Sequence, residues 1–357
     1  MKLLVTGAGG FLGRYVVKSA VERGHEVRAM IRPASRLVPP SWRWHPQVEV
    51  VRGDLRARNS FDESLDGVDA VVHLAASKAG DLYEQFGGTV IATENLLDAM
   101  KRVGVDRIVL TSSFSVYEYL GRWAWGRLDE QSPLASDPLD RDEYCQMKLE
   151  QERIVREHVE THGGRCVTLR PGVIYGRDNL WTARLGMQLS EKWWIRTGTF
   201  APLPLTYVEN CAEAIVQAAE YDGSEHDLIV NVVDDETPSQ RAYLNAWRAR
   251  LSPKPRVLPV PWLMMRGLAR LASLTNRLCF RGTAKVPGLF VPSRLHARCK
   301  TLRYSNERIR EALGWSPRYG WQEGMDRALG DDDPADLPST VAEVCVDASA
   351  PCVEQAT

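Results

Sequence analysis

The chain has 357 residues, 44% of them hydrophobic, and a formal net charge of −1 at pH 7. This length and apolar content predict a globular protein with one large domain or two. The near-neutral charge gives no reason to expect a nucleic-acid partner, and no apolar run is long and uncharged enough to span a bilayer.

The first apolar run starts at Lys2, so we expect no signal peptide and a cytoplasmic protein. The seven cysteines form no C-x-x-C pair and have no histidine partner at metal-ligand spacing. We therefore expect free thiols and no metal site.

The chain opens with a short apolar strand, KLLV, and the glycine-rich stretch TGAGGFLG. Residues 11–24 then carry apolar side chains at helical spacing. Gly7, Gly10 and Gly13 would allow a tight turn, and the N–H groups of a helix N-terminus attract a diphosphate. The motif by itself is equally compatible with a plain strand-to-helix turn.

Strands and helices then alternate along the first half of the chain. Further strands are predicted at 25–32, 48–55, 69–76, 107–113 and 166–171. Helices are predicted at 89–104 and at 140–162. This alternation predicts an α/β fold with a Rossmann-type doubly wound parallel sheet, whose ligands lie at the carboxyl ends of the strands.

The regular alternation stops after Gly172. We predict a nucleotide-binding domain at 1–172 and a smaller, interleaved substrate-binding region at 173–329, with 205–222 returning to the main body. Residues 330–357 contain seven acidic residues and no lysine or arginine. This composition predicts a disordered tail.

The segment EYCQMKLEQER carries the strongest chemical signal. Tyr144 and Lys148 lie four residues apart on a predicted helix and share one face. A nearby ammonium favours the phenolate, so we expect Lys148 to lower the pKa of Tyr144 and let it exchange a proton. Ser113, in TSSFSVY at a strand end, could bind the substrate oxygen. A surface tyrosine–lysine pair is the alternative.

In this order, TGAGGFLG, GDL, HLAA, TSSFSVY, YCQMK, LRPGVIYG and REALGWSP resemble the extended short-chain dehydrogenase/reductase family, also called the NAD-dependent epimerase/dehydratase superfamily. The resemblance covers nearly the whole chain except the acidic tail. It implies a Rossmann-type sheet, a small C-terminal substrate domain and a homodimer. It also implies that Ser113, Tyr144 and Lys148 are the catalytic residues, with Lys148 holding the cofactor ribose.

The same resemblance implies a set of cofactor-binding residues along the strand ends. They are Gly7, Gly10, Phe11, Leu12, Gly13, Asp54, Leu55, Leu74, Ala75, Ala76, Lys148 and Pro171.

The end of the second strand bears on cofactor choice. An acidic residue there would bind the ribose 2′-hydroxyl of NAD, whereas an arginine would meet the 2′-phosphate of NADP. This chain has Arg32 and Arg36 and no acidic residue between Arg28 and Gln47. The pattern favours NADP over NAD; solvated loop arginines are the alternative.

Two motifs bear on the substrate. Nucleotide-sugar branches of the family usually place a substrate-binding asparagine where this chain has Val173. LRPGVIYG and TYVENCAEA look more like the 3β-hydroxysteroid dehydrogenase and dihydroflavonol reductase branches, which implies a hydrophobic alcohol or ketone. Candidate substrate residues are Lys78, Ser115, Val173 and Arg298.

Two other functions stay open. One is a nucleotide-sugar epimerase, dehydratase or reductase. The other is a non-catalytic, NADP-sensing binding module on the same fold.

Residues 241–303 contain 14 lysines and arginines and no acidic residue. Within them, 262–281 form an amphipathic pattern with leucines on one side and arginines on another. We therefore hypothesise peripheral membrane contact through 262–281. One alternative is a basic helix packed on the substrate domain, and another is a basic stretch that docks the acidic tail.

Overall fold

The computed structural model describes residues 1–35, 38–78, 80–136, 142–280 and 291–337. Arg36, Arg281 and the acidic segment after residue 337 lie outside these ranges. Among the described helices, none is long and apolar enough to cross a membrane.

The strands are numbered in chain order. They are β1 Lys2–Thr6, β2 Glu26–Ile31, β3 Val48–Arg52, β4 Ala70–His73, β5 Arg107–Thr111, β6 Arg127–Leu128, β7 Arg165–Pro171, β8 Val173–Tyr175, β9 Gly186–Ser190, β10 Trp193–Thr197, β11 Leu205–Tyr207, β12 Asp227–Val232, β13 Arg256–Val260 and β14 Arg303–Tyr304.

The helices are numbered in the same way. They are α1 Phe11–Glu22, α2 Leu82–Phe86, α3 Ala92–Val103, α4 Glu143–His162, α5 Val208–Glu220, α6 Gln240–Ala249, α7 Trp262–Phe280, α8 Pro292–Cys299, α9 Glu307–Leu313 and α10 Trp321–Leu329. A π-helical turn, Gly87–Ile91, joins α2 to α3, and single 3₁₀ turns lie at Pro40–Trp42, Asp62–Leu65 and Phe114–Val116.

Seven strands form one parallel sheet in the order β12-β7-β5-β4-β1-β2-β3. The central strands are apolar throughout because helices cover both faces. Val16 of α1 and Ile215 of α5 belong to the core on one face, and Leu96 of α3 and Val155 of α4 to the core on the other. The predicted doubly wound α/β fold is confirmed.

The part of the chain that returns to the main body is longer than residues 205–222. Besides α5, strand β12 extends the large sheet by pairing with β7, so that Leu228 lies opposite Val167. Ile309 of α9 and Met325 of α10 also join the core under α5. The apolar sequence LIVNVV, residues 228–233, would suit a strand of the large sheet or of the smaller region. Its pairing with β7 assigns it to the large sheet.

The first eight residues of the acidic segment, 330–337, differ from the predicted disordered tail. Asp333 forms an ion pair with Arg14 at 2.9 Å, and Lys18 donates a hydrogen bond to the carbonyl of Pro334 at 2.7 Å. Ala335 and Leu337 are buried in the core beside α1. Two apolar side chains and one ion pair therefore anchor a segment whose composition alone predicted disorder.

The smaller region consists of short sheets and helices beyond the carboxyl edge of the large sheet. Strands β13, β10 and β9 form a three-stranded sheet, and β11 pairs with β8. Helix α6 packs on the three-stranded sheet through Trp247, which contacts Trp194 with ring centres 4.8 Å apart. Helices α7 and α8 share a separate small core.

Candidate active site

The glycine-rich turn after β1 is built so that helix α1 closely approaches the strand edge. Gly7 has φ +70°, a conformation that favours glycine. A Cβ atom on Gly13 would lie 2.3 Å from the Gly7 carbonyl oxygen, so only glycine fits there. The turn therefore requires Gly7 and Gly13 on steric grounds.

Helix α1 begins without a side-chain cap on Gly10 and without an acidic residue in its first turn. The N–H groups of its first residues, Phe11, Leu12 and Gly13, have no acceptor within the helix. Together with the partial positive charge of the helix end, they suit an anionic group such as a diphosphate. The residues present therefore fit a dinucleotide cofactor.

The predicted adenosine-binding residues lie at the ends of β2 and β3. Arg32 is exposed directly after β2, and its charge contributes to lowering the pKa of Asp54. The largest cause of that lowered pKa is Arg56, whose guanidinium binds the Asp54 carboxylate at 2.7–3.2 Å. Leu55 is buried in the core between β4 and α3, so only its backbone could face a ligand.

The other predicted cofactor residues follow the sheet edge. Leu74, Ala75 and Ala76 follow β4 directly and are partly exposed, and a Cβ atom on Gly7 would lie 3.1 Å from the Ala75 nitrogen. Pro171 ends β7 and is buried opposite Val232. The strand ends thus bring the predicted residues to one edge, as expected for a doubly wound sheet.

Ser113 and Tyr144 meet at this same edge. Asp142 caps helix α4 by accepting a hydrogen bond from the Cys145 N–H at 2.9 Å, which places Tyr144 in the first turn. Ser113 follows β5 and accepts a hydrogen bond from the Ser115 N–H at 3.1 Å. Ser113 lies close enough to the Tyr144 hydroxyl for its side chain to lower the pKa of Tyr144.

The pKa of Tyr144 shifts in the direction opposite to the sequence-based expectation. Burial raises it to about 12, and the side chain of Ser113 opposes this effect. The Lys148 ammonium, expected to lower it, lies 6.0 Å from the centre of the tyrosine ring. Tyr144 is therefore a protonated phenol at neutral pH in this state.

Lys148 points into the protein beneath Tyr144. Its Nζ atom donates hydrogen bonds to the Thr111 carbonyl at 2.7 Å and to Gln151 Oε1 at 2.8 Å. Its pKa is lowered to about 7, mainly by burial and in smaller part by the neighbouring charge of Lys78. Lys148 therefore exchanges its proton in the neutral pH range.

A buried polar network that the motifs did not reveal continues from Gln151. Its Nε2 atom donates to Thr93 Oγ1 at 2.8 Å, and Thr93 Oγ1 donates to the Thr89 carbonyl at 2.6 Å. With its proton used there, Thr93 Oγ1 accepts from His73 Nε2 at 2.9 Å. His73 Nδ1 then accepts from Thr6 Oγ1 at 2.8 Å. The network links the glycine-rich turn to the catalytic helix.

The network holds His73 neutral. Burial lowers the pKa of His73 to about 3, and the charge of Lys148 adds to this effect. In the unfolded chain this imidazole takes up a proton near pH ~6.5. Stability from His73 is therefore fully present above pH ~6.5 and is lost as the pH falls toward 3.

Replacing His73 tests this linkage. The free energy of unfolding of the wild type should fall between pH 8 and pH 5, as His73 of the unfolded chain takes up a proton. In His73→Gln, we expect this fall to be smaller by about 2 kcal/mol. Urea denaturation at the two pH values measures it. Thr161→Gln, on the exposed end of α4, changes no titratable group and is the control; it should leave the pH dependence unchanged. A wild-type pH dependence in His73→Gln would contradict the assignment.

The candidate substrate residues are not equally close to Tyr144. Lys78 is an exposed residue, yet its Nζ atom lies 5.5 Å from the centre of the Tyr144 ring, and burial around the amine lowers its pKa. The Ser115 carbonyl accepts a hydrogen bond from Cys145 Sγ at 3.1 Å, beside Tyr144. Val173 begins β8, opposite Leu205.

Arg298, the fourth candidate, lies on α8. Burial lowers the pKa of its guanidinium, and the charge of Asp142, two residues before Tyr144, opposes that shift. Arg184 lies in the same region and donates hydrogen bonds to the hydroxyls of Tyr119 at 3.3 Å and Tyr304 at 3.4 Å. The structure thus adds Arg184, which no motif indicated.

A second buried cluster, which no sequence motif indicated, connects α4 to the ends of β5 and β7. Glu152 of α4 and Arg170 of β7 form a two-point ion pair at 3.0 and 2.6 Å. Ser112 donates a hydrogen bond to Glu152, and Arg170 donates one to the hydroxyl of Tyr117 at 3.2 Å. The cluster ties the helix bearing Tyr144 to the strand end bearing Ser113.

Comparison with known proteins agrees with this geometry. Residues 3–232 match the NAD dependent epimerase/dehydratase family. A 3 beta-hydroxysteroid dehydrogenase/Delta 5→4-isomerase of Mycobacterium tuberculosis is 30% identical over 92% of this chain and 89% of its own. A 2-alkyl-3-oxoalkanoate reductase of Stenotrophomonas maltophilia is 28% identical over 92% of this chain and 98% of its own.

Solved structures share the fold. A UDP-glucose 4-epimerase of Thermus thermophilus in complex with NAD superposes with a TM-score of 0.66 at 23% identity. The match covers 93% of this chain and all of the epimerase chain. At this identity the likeness supports the architecture alone.

Proposed function

The chain belongs to the NAD dependent epimerase/dehydratase family, and from that premise we propose that it transfers a hydride between a nicotinamide cofactor and a secondary alcohol or ketone of a hydrophobic small molecule. The observation that carries the proposal is the meeting of Ser113, Tyr144 and Lys148 at the sheet edge beside the glycine-rich turn. The named relatives of this chain include a steroid dehydrogenase and a ketoreductase.

In the proposed reaction, a bound nicotinamide would supply the hydride for ketone reduction or accept it in alcohol oxidation. Tyr144 gives a proton to the substrate oxygen during reduction, because its raised pKa keeps the phenol protonated at neutral pH. The Ser113 hydroxyl would donate its proton in a hydrogen bond to the same oxygen and fix its position. The Phe11, Leu12 and Gly13 N–H groups would hold the diphosphate.

Lys148 has two roles in this proposal. Its ammonium would hold the cofactor ribose, in exchange for one of its present contacts with the Thr111 carbonyl and Gln151. Because its pKa lies near 7, it can also pass a proton toward Tyr144 after each turnover.

The substrate class follows from the relatives and from Val173. The two curated relatives are named for a steroid and for an alkyl oxoalkanoate. Val173 offers a hydrocarbon side chain where a sugar-binding asparagine would otherwise lie. Both observations support a hydrophobic alcohol or ketone.

A nucleotide sugar is the second candidate substrate. Arg184 and Arg298 lie close together near Asp142 at the start of α4, and two guanidinium groups would suit a sugar diphosphate. An epimerase or dehydratase oxidises and re-reduces the same substrate on a retained cofactor.

Mass spectrometry of the denatured protein distinguishes the two candidates. We expect the purified protein to release no stoichiometric nicotinamide cofactor and to bind added cofactor reversibly. This result supports an exchanging dehydrogenase or reductase. Tightly retained NAD or NADH would instead favour the nucleotide-sugar candidate.

We also propose that the cofactor is NADP, because exposed Arg32 lies directly after β2. Arg32→Ala should weaken NADPH binding by about 10- to 100-fold, the loss expected for a charged hydrogen bond, and should affect NADH much less. Cofactor fluorescence titration measures both affinities. Arg153→Ala is the control, since Arg153 pairs with Glu150 and Glu157 on the exposed face of α4. Equal losses for both cofactors would count against a 2′-phosphate contact.

Two further proposals are a homodimer, which rests on the family resemblance, and a cytoplasmic location. Sedimentation velocity of the full chain tests the first. A monomer at micromolar concentration would contradict it.

A further inference from the structure

Helix α7 packs on the rest of the protein through one narrow side. Met265 and Ala269 are buried there against Leu295 and Cys299 of α8. Trp262, at the first residue of α7, contacts the ring of His296 with centres 5.3 Å apart. These contacts fix the orientation of the helix, and they define which of its side chains face outward.

The outward side of α7 is apolar. Leucines recur there at helical spacing, and their exposed fractions are high for such large side chains. The exposed residues are Leu263 (75%), Met264 (51%), Leu268 (42%), Leu271 (61%), Leu274 (53%) and Leu278 (75%). A water-facing helix normally carries polar residues at these positions, so this outer face marks an interaction site.

The three-stranded sheet preceding α7 has a similar exposed row. Ile195 of β10 lies opposite Met187 of β9 and Leu258 of β13. Met187 and Leu258 are both exposed. Because α7 starts two residues after β13 ends, a second apolar surface lies close to the first along the chain.

The charged side chains that α7 itself carries are all positive. Arg266, Arg270 and Arg277 lie along one flank of its apolar stripe, and the sequence from 241 to 303 contains no acidic residue. Burial and then the charge of Lys300 lower the pKa of His296 on α8 to about 4; Arg266 and Arg270 of α7 add to this effect, and Glu118 opposes it. Exposed Trp123 and Trp125 lie on a loop whose Trp125 N–H donates to the Thr301 carbonyl at 2.7 Å, just after α8.

We propose that the outer face of α7, from Leu263 to Leu278, is a binding surface for an anionic lipid bilayer. Such a surface requires apolar side chains that enter the acyl region and cationic side chains that meet the headgroups, and α7 presents both. Exposed tryptophans near α8 fit the interfacial zone.

A second copy of the chain suits this face less well. A twofold contact would bring the arginines of one α7 next to the same arginines of the other, with no acidic residue on either helix to compensate. An anionic membrane supplies the missing negative charge.

The surface lies next to the candidate active site. Helix α8, on which α7 packs, is followed directly by Lys300, which donates a hydrogen bond to the Tyr119 carbonyl at 2.6 Å. Tyr119 donates in turn to the carbonyl of Phe114, the neighbour of Ser113, at 3.0 Å. A membrane-bound protein would therefore hold its catalytic edge near the phase where a hydrophobic substrate dissolves. The lipid proposal does not depend on the catalytic one, because vesicle binding is measured without turnover.

Flotation of the full chain with vesicles tests the proposal. We expect binding to phosphatidylcholine vesicles containing about 30% phosphatidylglycerol, at least tenfold weaker binding to pure phosphatidylcholine, and weakening by added salt. Leu271→Glu with Leu274→Glu should reduce binding to the anionic vesicles at least tenfold. Arg270→Glu with Arg277→Glu should do the same.

Trp44→Glu is the matched control, since Trp44 is 85% exposed on the loop between β2 and β3. It should bind vesicles like the wild type. Circular dichroism melts and cofactor titration establish that each variant is folded. The proposal is overturned if the wild type does not bind anionic vesicles, or if the leucine pair changes only the oligomeric state, which would identify an interface between copies.

Discussion

Tyr144→Phe is expected to lower turnover by about 100- to 10,000-fold, the usual contribution of a positioned proton donor. The loss follows from the proposed mechanism: the variant keeps the ring but removes the hydroxyl that would give a proton to the substrate oxygen. The affinity for the nicotinamide cofactor should change little, because the glycine-rich turn and Lys148 are untouched. Steady-state kinetics together with cofactor titration measure both quantities.

Tyr83→Phe is the control, since Tyr83 is 84% exposed on α2. It should have wild-type turnover. If Tyr144→Phe keeps turnover within threefold of the wild type, Tyr144 is not the proton donor. If the wild type binds cofactor but turns over no substrate in a broad panel, a cofactor-sensing binding module becomes the better description.

Glu152→Ala is expected to destabilise the fold by about 3–5 kcal/mol, because it leaves the Arg170 guanidinium as an unpaired buried charge. Arg170 is only 2% exposed and Glu152 only 5%. The same change removes the acceptor of the Ser112 hydrogen bond. Urea denaturation at pH 7 measures the free energy of unfolding.

The exposed ion pair between Glu150 and Arg153 on the same helix is the matched comparison. Glu150→Ala should cost less than about 1 kcal/mol, because solvent screens such pairs. Removing both partners, Glu152→Met with Arg170→Met, should be less damaging than Glu152→Ala alone. A loss below about 1 kcal/mol in Glu152→Ala would contradict the bracing role of the cluster.

The fold was predictable because its signals are local. Apolar runs such as DAVVHLAA mark buried parallel strands, and Gly7 and Gly13 mark a turn in which a Cβ atom would collide with backbone. The closeness of Ser113 to Tyr144 was predictable as well, since TSSFSVY follows a strand that ends at the carboxyl edge of the sheet and the helix bearing Tyr144 is the next predicted element along the chain.

The pKa values were not predictable because they depend on burial. A lysine four residues from a tyrosine suggests a lowered phenol pKa, but desolvation dominates and raises the pKa of Tyr144 to about 12. Of the two partners of Lys148, Gln151 lies three residues further along the same helix, whereas the Thr111 carbonyl reaches it through packing between α4 and β5.

Long-range pairings were likewise invisible. Glu152 and Arg170 lie 18 residues apart on different elements, and nothing in their spacing identifies them as partners. Asp333 meets Arg14 across almost the full length of the chain. The acidic composition of residues 330–357 predicted disorder, but composition alone could not reveal that Ala335 and Leu337 fill part of the core.

Direct hydride transfer is the central claim, and isotope tracing tests it most directly. The purified protein is incubated with NADPH or NADH deuterated at C4 on either face, together with a panel of steroid and long-chain alkyl ketones. We predict that one cofactor isomer gives an alcohol one mass unit heavier, with deuterium on the carbinol carbon. Unconsumed cofactor with every ketone, alongside epimerisation of a UDP-sugar without net oxidation, would contradict the claim.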